Sequence, residues 1–291
     1  MRRREFLSLF GGAVPAVLAL PEAAIAYAVA VEPGWIELRR VRVPVRGLPP
    51  VLEGFRIAQL SDLHRSEIVG AAHVRGAVAR ALAEQPELVA VTGDLVTGEA
   101  RFFDDVAEDL APLAAAAPSF AVPGNHDYDH WYPHARAGMP DGPQRLGDVL
   151  RAHGIELLRN ESRVLDVRGG AARIEIVGLD DFWSPNFDPA RAFAGASPEG
   201  LTRIVLNHNP DGFAVTRHER FDLMLCGHTH GGQVRIPLLG APICPVEDRR
   251  FLQGLVAADD RLVYTNRGIG YNRRVRFGVR PEVTLLELVP A

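Results

Sequence analysis

Leu223-Met224-Leu225-Cys226-Gly227-His228-Thr229-His230-Gly231-Gly232 opens with a short apolar strand, Leu223 to Leu225, and runs into a glycine-rich loop holding two histidines. Such a loop lets backbone pass close to a bound ion, and two imidazoles within it rarely serve packing alone. Side chains two apart in extended chain point the same way. On that rule His228 and His230 are expected to present two ligands to one place.

The same order recurs upstream. The strand Phe55 to Leu60 gives Ser61-Asp62-Leu63-His64, and Leu88 to Val91 gives Gly93-Asp94. Ser119 to Val122 gives Gly124-Asn125-His126-Asp127, and Arg203 to Leu206 gives Asn207-His208-Asn209-Pro210. Asp62 and His64 repeat the two-residue spacing. Helical patterns over Ala72 to Gln85, Asp104 to Ala116 and Gln144 to His153 separate the early strands, the last closed by Gly154. Ile155 to Leu158, Arg163 to Val167, Arg173 to Val177, Leu262 to Tyr264 and Val283 to Leu288 read as further strands, and Ile36 to Val45 as an extended run. Alternating β and α units predict a layered α/β domain. Five strands that each deliver carboxylate, amide or imidazole at their carboxyl ends place a site on that edge. A mixed nitrogen and oxygen set suits manganese, iron, zinc or nickel better than copper(I).

With these motifs the chain resembles the calcineurin-like metallophosphoesterase family from about Gly54 to Leu288. Gly227-His228-Thr229-His230-Gly231-Gly232-Gln233, Asn266-Arg267-Gly268-Ile269-Gly270 and Arg280-Pro281-Glu282 resemble a bacterial subgroup of exported or membrane-associated members. The resemblance implies a four-layer α/β/β/α sandwich of two packed mixed sheets. It also implies two divalent metal ions and hydrolysis of a phosphodiester or pyrophosphate by a metal-activated hydroxide. Carried over, it gives Asp62, His64 and His230 to one metal and Asn125, His208 and His228 to the other, with Asp94 between them. His126 then stands free of metal beside the scissile phosphate, oriented by Asp127. Thr97 occupies the position where the purple, tyrosinate-iron subgroup has Tyr, which favours a labile divalent pair.

Composition narrows the partners. The 291 residues carry a net charge of −4, which gives no basic footprint for nucleic acid. All 32 basic residues other than histidine are Arg, a fork suited to phosphate. The two cysteines, Cys226 and Cys244, form no CxxC pair and read as free thiols. Residues 1–28 read as an address: Arg2-Arg3-Arg4, an apolar run from Phe6 to Leu20, then small residues. Arg3-Arg4-Glu5-Phe6-Leu7 resembles a twin-arginine export signal, with cleavage expected after Ala26 or Ala28 and a retained anchor as the alternative. The expected organisation is this address, an N-terminal extended segment at 29–53 packing on the domain, and a catalytic domain at 54–291. The expected location is extracytoplasmic, with the export machinery as a partner.

Other polar residues are expected to be bland. His73, His153 and His218 read as surface or cap residues, and His130 and His134 as a solvated loop that could line the mouth. Asp180-Asp181 reads as structural support, and Arg65 as a surface residue with an outside prospect of reaching phosphate. Two other functions compete. One is a pyrophosphatase of the UDP-2,3-diacylglucosamine type in lipid A synthesis, and the other a catalytically silent metal-binding envelope module.

Overall fold

A computed structural model describes residues 22–133, 136–197 and 200–291 of the chain. The address segment up to Pro21, and with it the export motif, lies outside the described residues, as does His134.

Two six-stranded mixed sheets make the body. The first is ordered β1 (Glu37–Val45), β12 (Glu282–Pro290), β2 (Arg56–Leu60), β3 (Leu88–Thr92), β4 (Ser119–Val122), β5 (Ile155–Leu157). β12 runs parallel to β1 and antiparallel to β2, so the last strand slots between the first two. The second is ordered β10 (Gly254–Ala258), β11 (Arg261–Thr265), β9 (Leu223–Cys226), β8 (Thr202–Leu206), β7 (Ala172–Gly178), β6 (Glu161–Val167). Its central strands β7, β8, β9 and β11 are parallel.

The strand sequences are apolar without alternation because both faces are buried. Ile57, Leu88, Ala90, Phe120, Ile176, Ile204, Leu206, Leu223 and Leu225 form one cluster between the sheets. Their neighbours Ala58, Val89, Val91 and Ala121 face outward into a second cluster. That cluster is covered by α2 (Ala71–Ala83), α3 (Phe103–Ala116) and α4 (Gly142–Ala152), which follow the helix α1 (Glu22–Ala26). Val177, Val205, Met224 and Val263 form the outer face of the second sheet.

The four layers are present, but the outermost one on the second sheet is thin. Among the described residues it contains two short α-helices, α5 (Pro189–Ala194) and α6 (Phe213–Thr216), with a 3-10 turn carrying Phe251 and irregular chain carrying Val246. β10, α5 and α6 are too short for their periodicity to show in the sequence.

The N-terminal segment is tied into this body. After α1 the helical path continues as a π-turn over Tyr27–Val31. Ala28 is buried and its carbonyl accepts from the Arg276 amide. Tyr27 meets Phe277 edge-on, and the buried Glu32 carboxylate accepts from the amides of Gly278 and Val279. Among the described residues no helix is long and apolar enough to cross a membrane. Cys226 and Cys244 are free cysteines.

Candidate metal centre

Strands β2, β3, β4, β8 and β9 all end at one edge, and the motif residues follow directly. The chain does not stay extended there. Asp62, His64, Asp94, His228 and His230 have φ between 49° and 67°, in the left-handed region. The parallel presentation expected for Asp62/His64 and His228/His230 is therefore replaced by left-handed kinks beyond the strand ends. Such backbone is strained for residues other than glycine and persists only where its surroundings fix it. Here the surroundings are backbone bonds: Asp62 N–H donates to Gly93 O, His64 N–H to Asp94 O, and Gly270 N–H to Asp62 O. At Gly93, φ is +84° and a Cβ would lie 2.5 Å from His208 Nδ1, so only glycine fits. A Cβ at Gly227 would strike the Ser61 hydroxyl and the Asp62 carboxylate.

Asp62, His64 and His230 bring one donor atom each within 4.8 Å of one another, as do Asp62, Asp94 and His208. His64 Nε2 and His230 Nε2 are 3.0 Å apart, and His230 Nε2 is 3.4 Å from Asp62 Oδ1. On the other side, His228 Nδ1 lies 3.0 Å from Asn125 Oδ1 and 3.3 Å from His208 Nε2. Asp94 Oδ2 stands between the groups, 3.2 Å from His208 Nε2 and 3.6 Å from His64 Nε2. Donors sharing a cation at about 2.0–2.2 Å are about 3 Å from each other, so these separations fit two neighbouring cations.

The outer nitrogens are held as well. His208 Nδ1 donates to the Thr92 carbonyl at 2.8 Å, leaving Nε2 for the centre. His64 Nδ1 is 3.1 Å from the Thr97 hydroxyl. Sequence reading missed the third partner. The fully buried Arg276 places Nη2 3.2 Å from His230 Nδ1 and donates also to the carbonyls of Gly268 and Gly270. It lies in the run Arg273-Arg274-Val275-Arg276, which by composition reads as surface.

Burial shapes the charges. It pulls His64 and His228 down to about 3, holding both imidazoles neutral with lone pairs available. Burial also lifts Asp62 to about 7. In His208 burial acts downward, but the Asp94, Asp62 and Asp181 carboxylates override it and lift the group to about 10. Asp94 is held well below the usual carboxylate range: burial opposes this, and His208 and His126 outweigh it.

His126 sits at the rim of the donor set, with its ring centroid 5.0 Å from that of His64. Its expected orientation by Asp127 is not what the fold provides. Asp127 is the third residue of a 3-10 turn that starts at Asn125, and adjacent side chains on such a turn diverge by about 120°. The Asp127 carboxylate accepts instead from the amides of Leu95, Val96 and Gly124. The group that meets His126 is Asn272, whose Nδ2 is 3.0 Å from Nε2. His126 Nδ1 has no hydrogen-bond partner among the described residues. Trp131 packs edge-on against His126 and Trp183 against His228, forming aromatic walls.

The remaining expectations divide. Arg65 turns away to Asp105 and Asp109, so it does not reach the centre. His130 is buried beside Trp183 rather than solvated. His218 is exposed, and His153 Nδ1 bonds the Val149 carbonyl at its helix end. His73 Nε2 contacts the Ile269 carbonyl, bracing the segment behind Asp62. Asp180 accepts from Tyr128 and Arg159, while burial raises Asp181 to about 7 beside the centre.

Two packed mixed sheets with this buried donor set at their carboxyl edge define a metal-dependent α/β hydrolase. The chain belongs to the calcineurin-like phosphoesterase family, whose model matches residues 55–232, and it is a metal-dependent phosphohydrolase. It is 40% identical over 262 residues to the phosphodiesterase YaeI of Escherichia coli (strain K12), covering 89% of this chain and 90% of that one. It is 29% identical to the metallophosphoesterase YkuE of Bacillus subtilis (strain 168), covering 99% and 98%. To the UDP-2,3-diacylglucosamine pyrophosphatase LpxG of Chlamydia trachomatis it is 28% identical, covering 93% and 94%.

Proposed function

We propose that the chain hydrolyses a phosphodiester or pyrophosphate bond in an amphiphilic substrate at the extracytoplasmic membrane surface. Asp62, His64 and His230 would hold one divalent ion and Asn125, His208 and His228 the other, with Asp94 shared. The observation that carries this reading is the convergence of these seven donors around the Asp94 carboxylate, with His126 alongside. Bound divalent ions would supply Lewis acidity toward phosphate oxygens and a nucleophile at neutral pH.

The protein's own residues do the rest. We assign the ring proton of His126 to Nδ1, the nitrogen without a partner among the described residues, with Nε2 accepting from Asn272 Nδ2. Burial lowers His126, so it is neutral at pH 7 and offers that N–H to the leaving oxygen as its charge develops. Trp131 covers one edge of its ring. Asp127 supports this from below, tying the loop after β3 to the turn after β4.

At the N-terminus the packing of Tyr27 and Ala28 on the body speaks against cleavage after Ala28 and is compatible with a retained anchor or with cleavage after Ala26. The test of function is metal analysis of protein purified from its native membrane, followed by assay with bis(p-nitrophenyl) phosphate and with lipid-linked pyrophosphates. Retention of two metals with no turnover of any phosphoester would point to the silent module. The similarity to LpxG supports a second reading, a UDP-diacylglucosamine pyrophosphatase on the cytoplasmic side. Protease accessibility in spheroplasts separates the two: a protected catalytic domain selects the second.

A further inference from the structure

The segment that carries Asn272 and Arg276 also carries Arg273, Arg274 and Arg280, with no acidic residue from 271 to 281. None of those three enters an ion pair among the described residues. This is a local excess of positive charge on a chain whose net charge is −4.

Apolar side chains flank it on both sides. On one side the N-terminal helical path docks through Ala28 and Tyr27, and Arg274 Nε donates to the Val29 carbonyl at 3.2 Å. Val29 and Val31 stay 41% and 49% exposed there. Trp35 follows, 49% exposed, with the Arg280 guanidinium 3.5 Å above its ring. On the other side, Arg235 N–H donates to Phe277 O and Phe277 N–H to Gln233 O. This attaches a narrow hairpin closed by the Ile236–Gly240 bridge. Its tip is Pro237-Leu238-Leu239, where Leu238 is fully exposed and Leu239 is 79% exposed. Two leucines at a turn tip gain nothing in water.

We propose that this face docks on an anionic lipid bilayer. Leu238 and Leu239 insert at the headgroup boundary, Trp35 lies at the interface, and Arg273, Arg274 and Arg280 meet lipid phosphates. Arginines without an ion pair among the described residues, interleaved with apolar side chains, suit a surface that is anionic above and apolar below. In the sequence, the apolar run Phe6 to Leu20 precedes the helical path that docks on this face. Asn272 belongs to the docking segment and touches His126, so docking sets the centre at headgroup level. That last step rests on the proposed function; the docking does not.

The test uses the full chain with Leu238→Cys in a Cys244→Ser background, labelled with an environment-sensitive fluorophore. Cys226 is buried and stays unlabelled. With vesicles containing phosphatidylglycerol, emission at position 238 should shift blue and be quenched by spin-labelled lipid, while a label at the exposed Val164 should not respond. Failure to sediment with the vesicles overturns the proposal. So does sedimentation with an unshifted label at 238, which would mean that the N-terminal segment alone holds the protein. A shift without vesicles, accompanied by dimerisation, assigns the face to a second copy and also overturns it. In the unlabelled protein, L238S/L239S should weaken vesicle binding at least tenfold and leave hydrolysis of soluble bis(p-nitrophenyl) phosphate within twofold. Absence of that hydrolysis in the parent protein, with vesicle binding intact, would sink the proposed function and spare the docking.

Discussion

Asn272 and His126 are 146 positions apart and meet at 3.0 Å, Nδ2 to Nε2. The contact ties the imidazole to a loop with no motif of its own. Asn272→Ala should lower kcat about tenfold or more, at the low end of or below what a positioned proton donor contributes. Metal content, measured by atomic emission, should be unchanged. A lost metal with preserved kcat per metal-loaded enzyme would show that Asn272 acts on the centre instead.

Asp94→Asn and His228→Ala should each reduce turnover of a diester at least about 10²-fold, the scale of lost transition-state charge stabilisation. Circular dichroism should show both variants folded. Near-normal rates in either would remove the shared-carboxylate arrangement from consideration.

Arg276 acts through His230. Replacing it with Met removes its N–H donors from the Arg267 and Gly270 carbonyls in a buried site, while Gly268 O keeps the Glu282 amide, costing about 1–3 kcal/mol for each unsatisfied group. The melting temperature should fall accordingly. Metal affinity, titrated by calorimetry on the folded variant, should drop about 10–100-fold, as for other residues that orient a metal-bound imidazole. Affinity equal to the parent's would confine Arg276 to a packing role.

The metal-free protein should lose stability on going from pH 7 to pH 10. His208 is raised to about 10, so the stability it contributes is full below its unfolded value near 6.5 and disappears as pH rises through 10. Asp62, raised to about 7, favours the folded state at low pH and has spent its effect by then. Added divalent metal should reverse the trend, because its ligands must be deprotonated. Differential scanning fluorimetry across that range, with His208→Gln as control, reads the slope. A flat metal-free profile would contradict the charge arrangement around Asp94.

The donor residues were legible in the sequence because each follows a strand end, where an apolar run meets polar residues, with glycine among them after β3, β4 and β9. Their geometry was not. The alternation rule for extended chain fails two residues past Leu60 and Cys226, at Asp62 and His228, where tertiary hydrogen bonds pull the backbone left-handed. The pairing of Asp127 with His126 failed because neighbours on a 3-10 turn diverge. Arg276 and Asn272 were invisible because charge and amide in an arginine-rich loop look solvated, and only the packing of β12 and the N-terminal path turns that loop inward. The two-sheet stacking left no trace beyond uniform hydrophobicity, since strands such as β3 are covered on both sides.

The last strand of the chain wedges between the first two. During synthesis β1 and β2 must wait, edges open, until residues 282–290 clear the ribosome. The first sheet therefore closes only when β12 arrives, and deleting residues 282–290 should leave β1 and β2 with unpaired facing edges. A sheet assembled this way is completed in a single late step, which makes residues 282–290 a poor place for insertions and an effective checkpoint for quality control.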